Sequence, residues 1–128
     1  MKKRINPENV KTAYYDSVDD LLYVRFKENN YAFSEQRHGV IFDLNKKKEI
    51  IGFEIFNASK FFEVPKTFLK NVRRAQFEIV IKKNDAHLRS FFISQINNKQ
   101  SQRTRNESFA NSQALQAQKV ECTALLSN

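Results

Sequence analysis

Gly39-Val40-Ile41-Phe42-Asp43-Leu44, then Asn45-Lys46-Lys47-Lys48-Glu49, then Ile50-Ile51-Gly52-Phe53-Glu54-Ile55-Phe56: two apolar runs of strand length enclose a polar, charged connection. Val, Ile and Phe suit a half-buried pleated surface, and the hydrophilic middle reads as a turn. The stretch therefore predicts an antiparallel hairpin. On its second strand Ile51, Phe53 and Ile55 are expected on the core face, with Gly52 and Glu54 opposite. A slip of one residue would expose all three apolar side chains.

Upstream, Val10 to Tyr15 reads as a strand, followed by an Asp/Ser turn at Asp16-Ser17-Val18-Asp19-Asp20. Leu22, Val24 and Phe26 alternate with Tyr23 and Arg25, the period of a strand with one wet face. Lys27 to Asn30 reverses the chain, and Tyr31 to Glu35 alternates again. Downstream, Asn57-Ala58-Ser59 leaves the sheet, with Asn57 and Ser59 as candidate helix N-caps. Pro65 suits the first turn of a helix over 65–74, with Phe68, Leu69 and Val72 on one face. Arg73 and Arg74 then fall at its C-terminal end, where cations complement the dipole. Residues 75–82 supply a further strand and 87–94 reads as the last, with a helix as the alternative there because Leu88, Phe91 and Phe92 also fit a 3.6-residue period.

These elements predict an α+β domain over residues 10–95: an antiparallel β-sheet of about six or seven strands, built from hairpins, with one packed helix. Residues 1–9 are polar, contain Pro7 and read as a flexible N-terminal arm. Residues 96–128 are dominated by Asn, Gln and Ser and read as a disordered C-terminal tail. Its removal is expected to leave the thermal midpoint nearly unchanged.

The chain has 128 residues, enough for one modest core. Phe supplies 12 aromatic residues against 4 Tyr and no Trp, so the core is expected to be built from Phe and aliphatics. Gly39 and Gly52 are the only glycines, which excludes Gly-rich phosphate loops. One cysteine, Cys122, excludes an internal disulfide. No stretch approaches the roughly 20 apolar residues of a membrane span, and polar residues follow Lys2-Lys3-Arg4 where a signal peptide would be apolar. A cytoplasmic protein that does not engage a membrane is expected. The net charge of +8 suits an acidic partner, of which nucleic acid is one, or simply a solvated Lys-rich surface.

Chemistry-bearing residues are few. Asp16, Asp19, Asp20 and Asp43 lack the twelve-residue calcium pattern and read as turn and cap residues. Glu54 reads as one half of a cross-strand ion pair with Arg25. His38, beside Gly39, reads as a turn residue, and His87 has no ligand-spaced neighbours. Cys122 falls in the expected tail and reads as incidental. No catalytic residue, metal site or cofactor is assigned, and the protein is expected not to be an enzyme. The sharpest basic feature is Lys46, Lys47 and Lys48 at the hairpin tip. With Lys2-Lys3-Arg4, Arg73 and Arg74 it would offer a phosphate-binding surface, and Tyr14, Tyr23 and Tyr31 could supply stacking platforms. Lysines at tips also serve to discourage aggregation.

The spacing of Tyr15-Asp16, Asp19-Asp20, Leu22-Tyr23-Val24-Arg25, Gly39-Val40-Ile41, Asp43, Ile51-Gly52-Phe53-Glu54-Ile55 and Ala58-Ser59-Lys60 resembles a bacterial domain of unknown function, family 2283. The resemblance runs from about Tyr15 to Lys60. It implies a small antiparallel β-rich unit with a helix and no established activity. It also implies an acidic, Gly-containing turn where this chain has Asn45-Lys46-Lys47-Lys48. The expected function is that of a non-catalytic binding module, engaging an unknown protein partner or a second copy of itself (a homo-oligomer) through the sheet. The alternative is a nucleic-acid-binding module using Lys46, Lys47, Lys48, Arg73 and Arg74.

Overall fold

The computed structural model describes residues 2–28, 30–111 and 115–127. The first sheet contains β2 (Val10–Asp16), β3 (Leu21–Phe26), β4 (Tyr31–Arg37), β5 (Val40–Asn45) and β6 (Ile50–Ile55), in the spatial order β2-β3-β6-β5-β4. The second contains β1 (Lys2–Ile5), β7 (Val72–Ile81), β8 (Asp85–Ile96), β9 (Lys99–Ala110) and β10 (Gln118–Leu125), in the order β1-β10-β7-β8-β9. Two short helices, α1 (Ala58–Phe62) and α2 (Lys66–Lys70), connect the sheets. Adjacent strands are antiparallel except β1 and β10, which run parallel.

The sheets pack face to face over one hydrophobic core. Phenylalanine carries it, as the composition suggested. Phe53 of β6 meets Phe77 of β7 edge-on at 5.0 Å, and Phe62 of α1 meets Phe92 of β8 at 4.7 Å. Helices of five residues have no stability of their own in water. Phe62 and Leu69 hold them by burying against the sheets, and Ser94 Oγ donates to the Phe68 carbonyl at 2.8 Å.

All seven strands expected between residues 10 and 95 are present, and the opening hairpin is β5–β6. Its core face differs in one detail. Asp43 pairs with Gly52 but Leu44 with Ile50, so Ile51 is an extra residue in β6. Ile50, Phe53 and Ile55 enter the core between the sheets, and Ile51 is buried outside that cluster. The bulge breaks the simple alternation on which the choice of Ile51 rested.

The helix expected over 65–74 is half that length. Asn71 ends it, and Val72 already pairs with Ser94. Arg73 and Arg74 therefore sit on β7, exposed, and not on a helix terminus. Pairing of nine β7 residues with β8 outweighs one more helical turn.

The two termini depart furthest from expectation. The arm at 1–9 supplies β1, which adds to the edge of β10. The supposed tail supplies β9 and β10, and β10 lies inside the second sheet between β1 and β7. Asn/Gln/Ser richness misleads for a physical reason. The exposed side chains of β9 need no core, because β9 is held by a twelve-residue ladder along β8. In β10 only Gln118, Val120, Cys122 and Ala124 face inward, a period-2 pattern of small or modest side chains.

Candidate functional site

The outer face of the first sheet carries a connected polar cluster. Tyr23 and Arg25 project from β3, Glu54 from β6, Asp43 from β5 and Ser34 from β4, across registered pairs. Arg25 Nη1 lies 3.4 Å from Asp43 Oδ2 and donates to the Tyr23 hydroxyl at 3.4 Å. Ser34 Oγ donates to Asp43 Oδ1 at 2.8 Å and meets the Tyr31 hydroxyl at 2.8 Å. The guanidinium of Arg25 lies over the Tyr31 ring, 5.2 Å from its centroid. Gly52 makes this possible. A Cβ there would stand 2.8 Å from the Val24 carbonyl oxygen and 3.0 Å from Arg25 Cδ.

The expected partner of Arg25 was Glu54, but the ion pair goes to Asp43. Glu54 remains nearby. Burial, then the charge of Asp43, push its carboxyl above the usual range, against the opposing pull of Arg25. Tyr14 lies tilted against Tyr23 at 5.5 Å and Arg25 lies over Tyr31, so Tyr14, Tyr23 and Tyr31 do share one face. That face holds one arginine against two carboxylates, which does not favour a phosphate partner there.

A second cluster ties the sheet to α1. Asp20, with φ of 52°, is buried in the β2–β3 turn. Its Oδ1 accepts from the Tyr15 hydroxyl at 2.6 Å and the Ser59 N–H at 3.0 Å, and its Oδ2 from Ser59 Oγ at 2.6 Å. Its own carbonyl accepts from the Ala58 N–H at 2.9 Å. Burial alone would raise the carboxyl, but the donors on Ser59 and Tyr15 prevail and hold it below its ordinary value. Asp16 makes the turn hydrogen bonds expected of it, to the N–H groups of Val18 and Asp19. These two clusters join residues from β2 through the start of α1 into one unit.

Residues 13–59 match the family described as a protein of unknown function, DUF2283. No curated protein and no solved structure matches the chain. The DUF2283 segment coincides with almost the whole first sheet and ends on Ser59, the partner of Asp20. Within it Gly52 and Ala58-Ser59 have structural roles: Gly52 admits Arg25, and Ala58-Ser59 binds Asp20. The second sheet lies outside the match.

The lysine tip falls inside the DUF2283 segment, between β5 and β6. Lys46, Lys47 and Lys48 are exposed on a turn organised by Asn45, whose Oδ1 accepts from the N–H groups of Lys47 and Glu49, each at 2.9 Å. A cleft of about 430 Å³ beside it is lined by Asn30, Tyr31, Asn45, Lys46, Lys47 and Glu49. Arg73 and Arg74 are not part of this surface. The tip touches Gln118, which pairs with Ile81, whereas Arg74 pairs with Leu125 at the other end of the strands. Seven residues of strand separate the two ends, roughly 23 Å. Lys2, Lys3 and Arg4 are ion-paired, with Glu121, Glu28 and Glu121 respectively.

Two residues of functional interest escape a reading of the sequence. Gln118 is buried and bridges the sheets: its Nε2 donates to the Lys48 carbonyl and its Oε1 accepts from the Ile50 N–H, both at 2.9 Å. Nothing local to an Asn/Gln/Ser-rich stretch marks such a contact 68 residues away. Cys122 is buried, and burial pushes its thiol up to about 12, so it behaves as a core residue. The outer face of the second sheet holds a groove of about 490 Å³ whose lining includes Arg4, Glu121, Glu78, Arg89 and Phe91. Its charges balance. His38 does occupy a turn, with φ of 51° before Gly39 at 85°. His87 is tied to Ser108 at 2.8 Å and Asp85 at 3.3 Å. Among the described residues, no group of three His, Cys, Asp or Glu side chains could hold a metal ion, and no helix is long and apolar enough to cross a membrane.

Proposed function

We propose that the protein is a non-catalytic binding module that engages a protein partner, or a second copy of itself, through the β4 edge of the first sheet. One observation carries this reading. β4 is the outermost strand of the sheet that the DUF2283 segment builds, and it presents Tyr31, Ala32, Ser34 and Gln36 as exposed side chains. An open edge offers unpaired backbone groups to an added strand, with alternate side chains to give specificity. Arg25, Asp43 and Ser34 lie behind it as a pre-ordered polar surface.

The test is co-purification from the cells that make the protein, with an edge variant beside the wild type. Ala32 has no register partner in β5, so Ala32→Lys adds a charge at the edge without removing a ladder pair. A companion recovered with the wild type and lost from Ala32→Lys is the expected result. A monomer without a companion, by sedimentation across concentrations and by mass analysis, would end the proposal.

A second reading, nucleic-acid binding, is favoured by the lysine tip alone. Lys46, Lys47 and Lys48 are exposed beside a cleft, and among the described residues none of them makes an ion pair.

A further inference from the structure

The topology places a second lysine turn beside the first. Gln118 of β10 holds the Lys48 carbonyl and the Ile50 N–H of the hairpin tip. The same residue pairs with Ile81, the last residue of β7, and Lys82 and Lys83 follow at once. Two turns, one from each sheet, therefore meet at one end of the molecule. Both backbones are fixed. The Lys82 N–H donates to the Asp85 carbonyl at 2.8 Å, and Asn111 Nδ2 donates to the Lys82 carbonyl at 2.8 Å. Asn45 fixes the other turn.

The five lysine side chains at this end are exposed and outnumber the two nearby acids, Glu49 and Asp85. Glu49 Oε1 accepts from Asn45 Nδ2 at 2.9 Å, and Asp85 lies against His87. Among the described residues, Lys46, Lys47, Lys48, Lys82 and Lys83 make no ion pair, whereas Lys2, Lys3 and Lys119 are each paired to a glutamate. Part of the surplus positive charge is thus held unneutralised on two rigid turns.

The cleft beside the tip adds the second ingredient. At about 430 Å³ it is of the size of one nucleotide, and Tyr31 in its wall is 51 % exposed. Arg25 over the ring and Ser34 at its hydroxyl hold Tyr31 in place. A fixed aromatic ring next to lysines on a turn matches the chemistry of an unpaired base and its flanking phosphates. A duplex keeps its bases stacked inside and could use only the lysines.

We propose that this end of the molecule binds single-stranded nucleic acid, with a base on Tyr31 and the backbone along Lys46, Lys47, Lys48, Lys82 and Lys83. The inference rests on the nucleic-acid reading above and names the strand state it would take. The full chain is titrated with single-stranded RNA, single-stranded DNA, duplex DNA and polyglutamate over a range of salt. Single strands are expected to bind in preference to duplex. Lys46/Lys47/Lys48→Ala should flatten the slope of log affinity against log salt by about 2. Tyr31→Ala should weaken binding about tenfold, and Tyr31→Phe, which keeps the ring and loses the Ser34 contact, should retain it. Equal binding of duplex with no effect of Tyr31→Ala would overturn this inference and leave the nucleic-acid reading standing. No binding of any nucleic acid at low salt would overturn both. Polyglutamate bound as tightly as the single strands would mean a surface for acidic protein instead.

Discussion

Asp20 concentrates more hydrogen bonds than any other carboxylate of the first sheet. It collects three donors from Tyr15 and Ser59 while its backbone sits in the left-handed region. Asp20→Ala leaves the Ser59 donors and the Tyr15 hydroxyl without their acceptor and should cost about 2–3 kcal/mol at neutral pH. Because the folded carboxyl lies below its ordinary value, its contribution is fully present above about pH 4 and fades as the pH falls through the folded value. Urea unfolding of wild type and variant at pH 7 and pH 3 checks both, and the difference should shrink in acid. Glu54 works in the opposite sense. Burial and Asp43 raise its folded value, so Glu54 costs stability as the pH climbs from its ordinary value to the folded one, with the full cost above the folded value. Glu54→Gln should raise the melting temperature at pH 8 and leave it unchanged below about pH 4.

Among the elements, β6 is central to its sheet, between β3 and β5, and it also meets the opposite sheet through Phe53. Phe53→Ala removes a fully buried ring between Phe42 and Phe77 and should cost about 3–5 kcal/mol, measured by equilibrium unfolding. The hairpin β5–β6 was legible because strong β-formers flank a run of lysines. The bulge at Ile51 was not, since it depends on how Leu44 and Ile50 meet across the pair. The start of the short α2 is legible, because Pro65 signals a first turn. Its end is not, because Val72 to Arg74 is compatible with either state until β8 is there to pair with it.

For the molecule as a unit, the second sheet changes what truncation should do. Removing residues 118–128 deletes β10, strips β1 of its pairing partner and β7 of one of its two, and uncovers Phe77, Ile79 and Ile81. The expected result is loss of the cooperative thermal transition seen for the full chain, followed by near-ultraviolet circular dichroism of the tyrosines. An unchanged midpoint would mean that the last strand is dispensable. The charge distribution is likewise a property of the assembled sheets: Lys46–Lys48 and Lys82–Lys83 lie far apart in sequence and meet through Gln118, while Arg73 and Arg74 are carried to the other end.

Seven strands, the Phe core, the turn roles of Asp16 and His38 and the likeness to DUF2283 all follow from local patterns: period-2 alternation, turn chemistry and spacing within some 50 residues. The partner of Arg25, the bulge in β6, the fate of both termini and the meeting of two lysine turns do not. Each depends on a contact between segments distant along the chain, and polar strands such as β9 acquire their hydrogen bonds only when a neighbour has already formed. Backbone pairing is blind to side-chain polarity, so an Asn/Gln/Ser-rich segment beside a ready strand becomes sheet, although nothing in its own composition would order it.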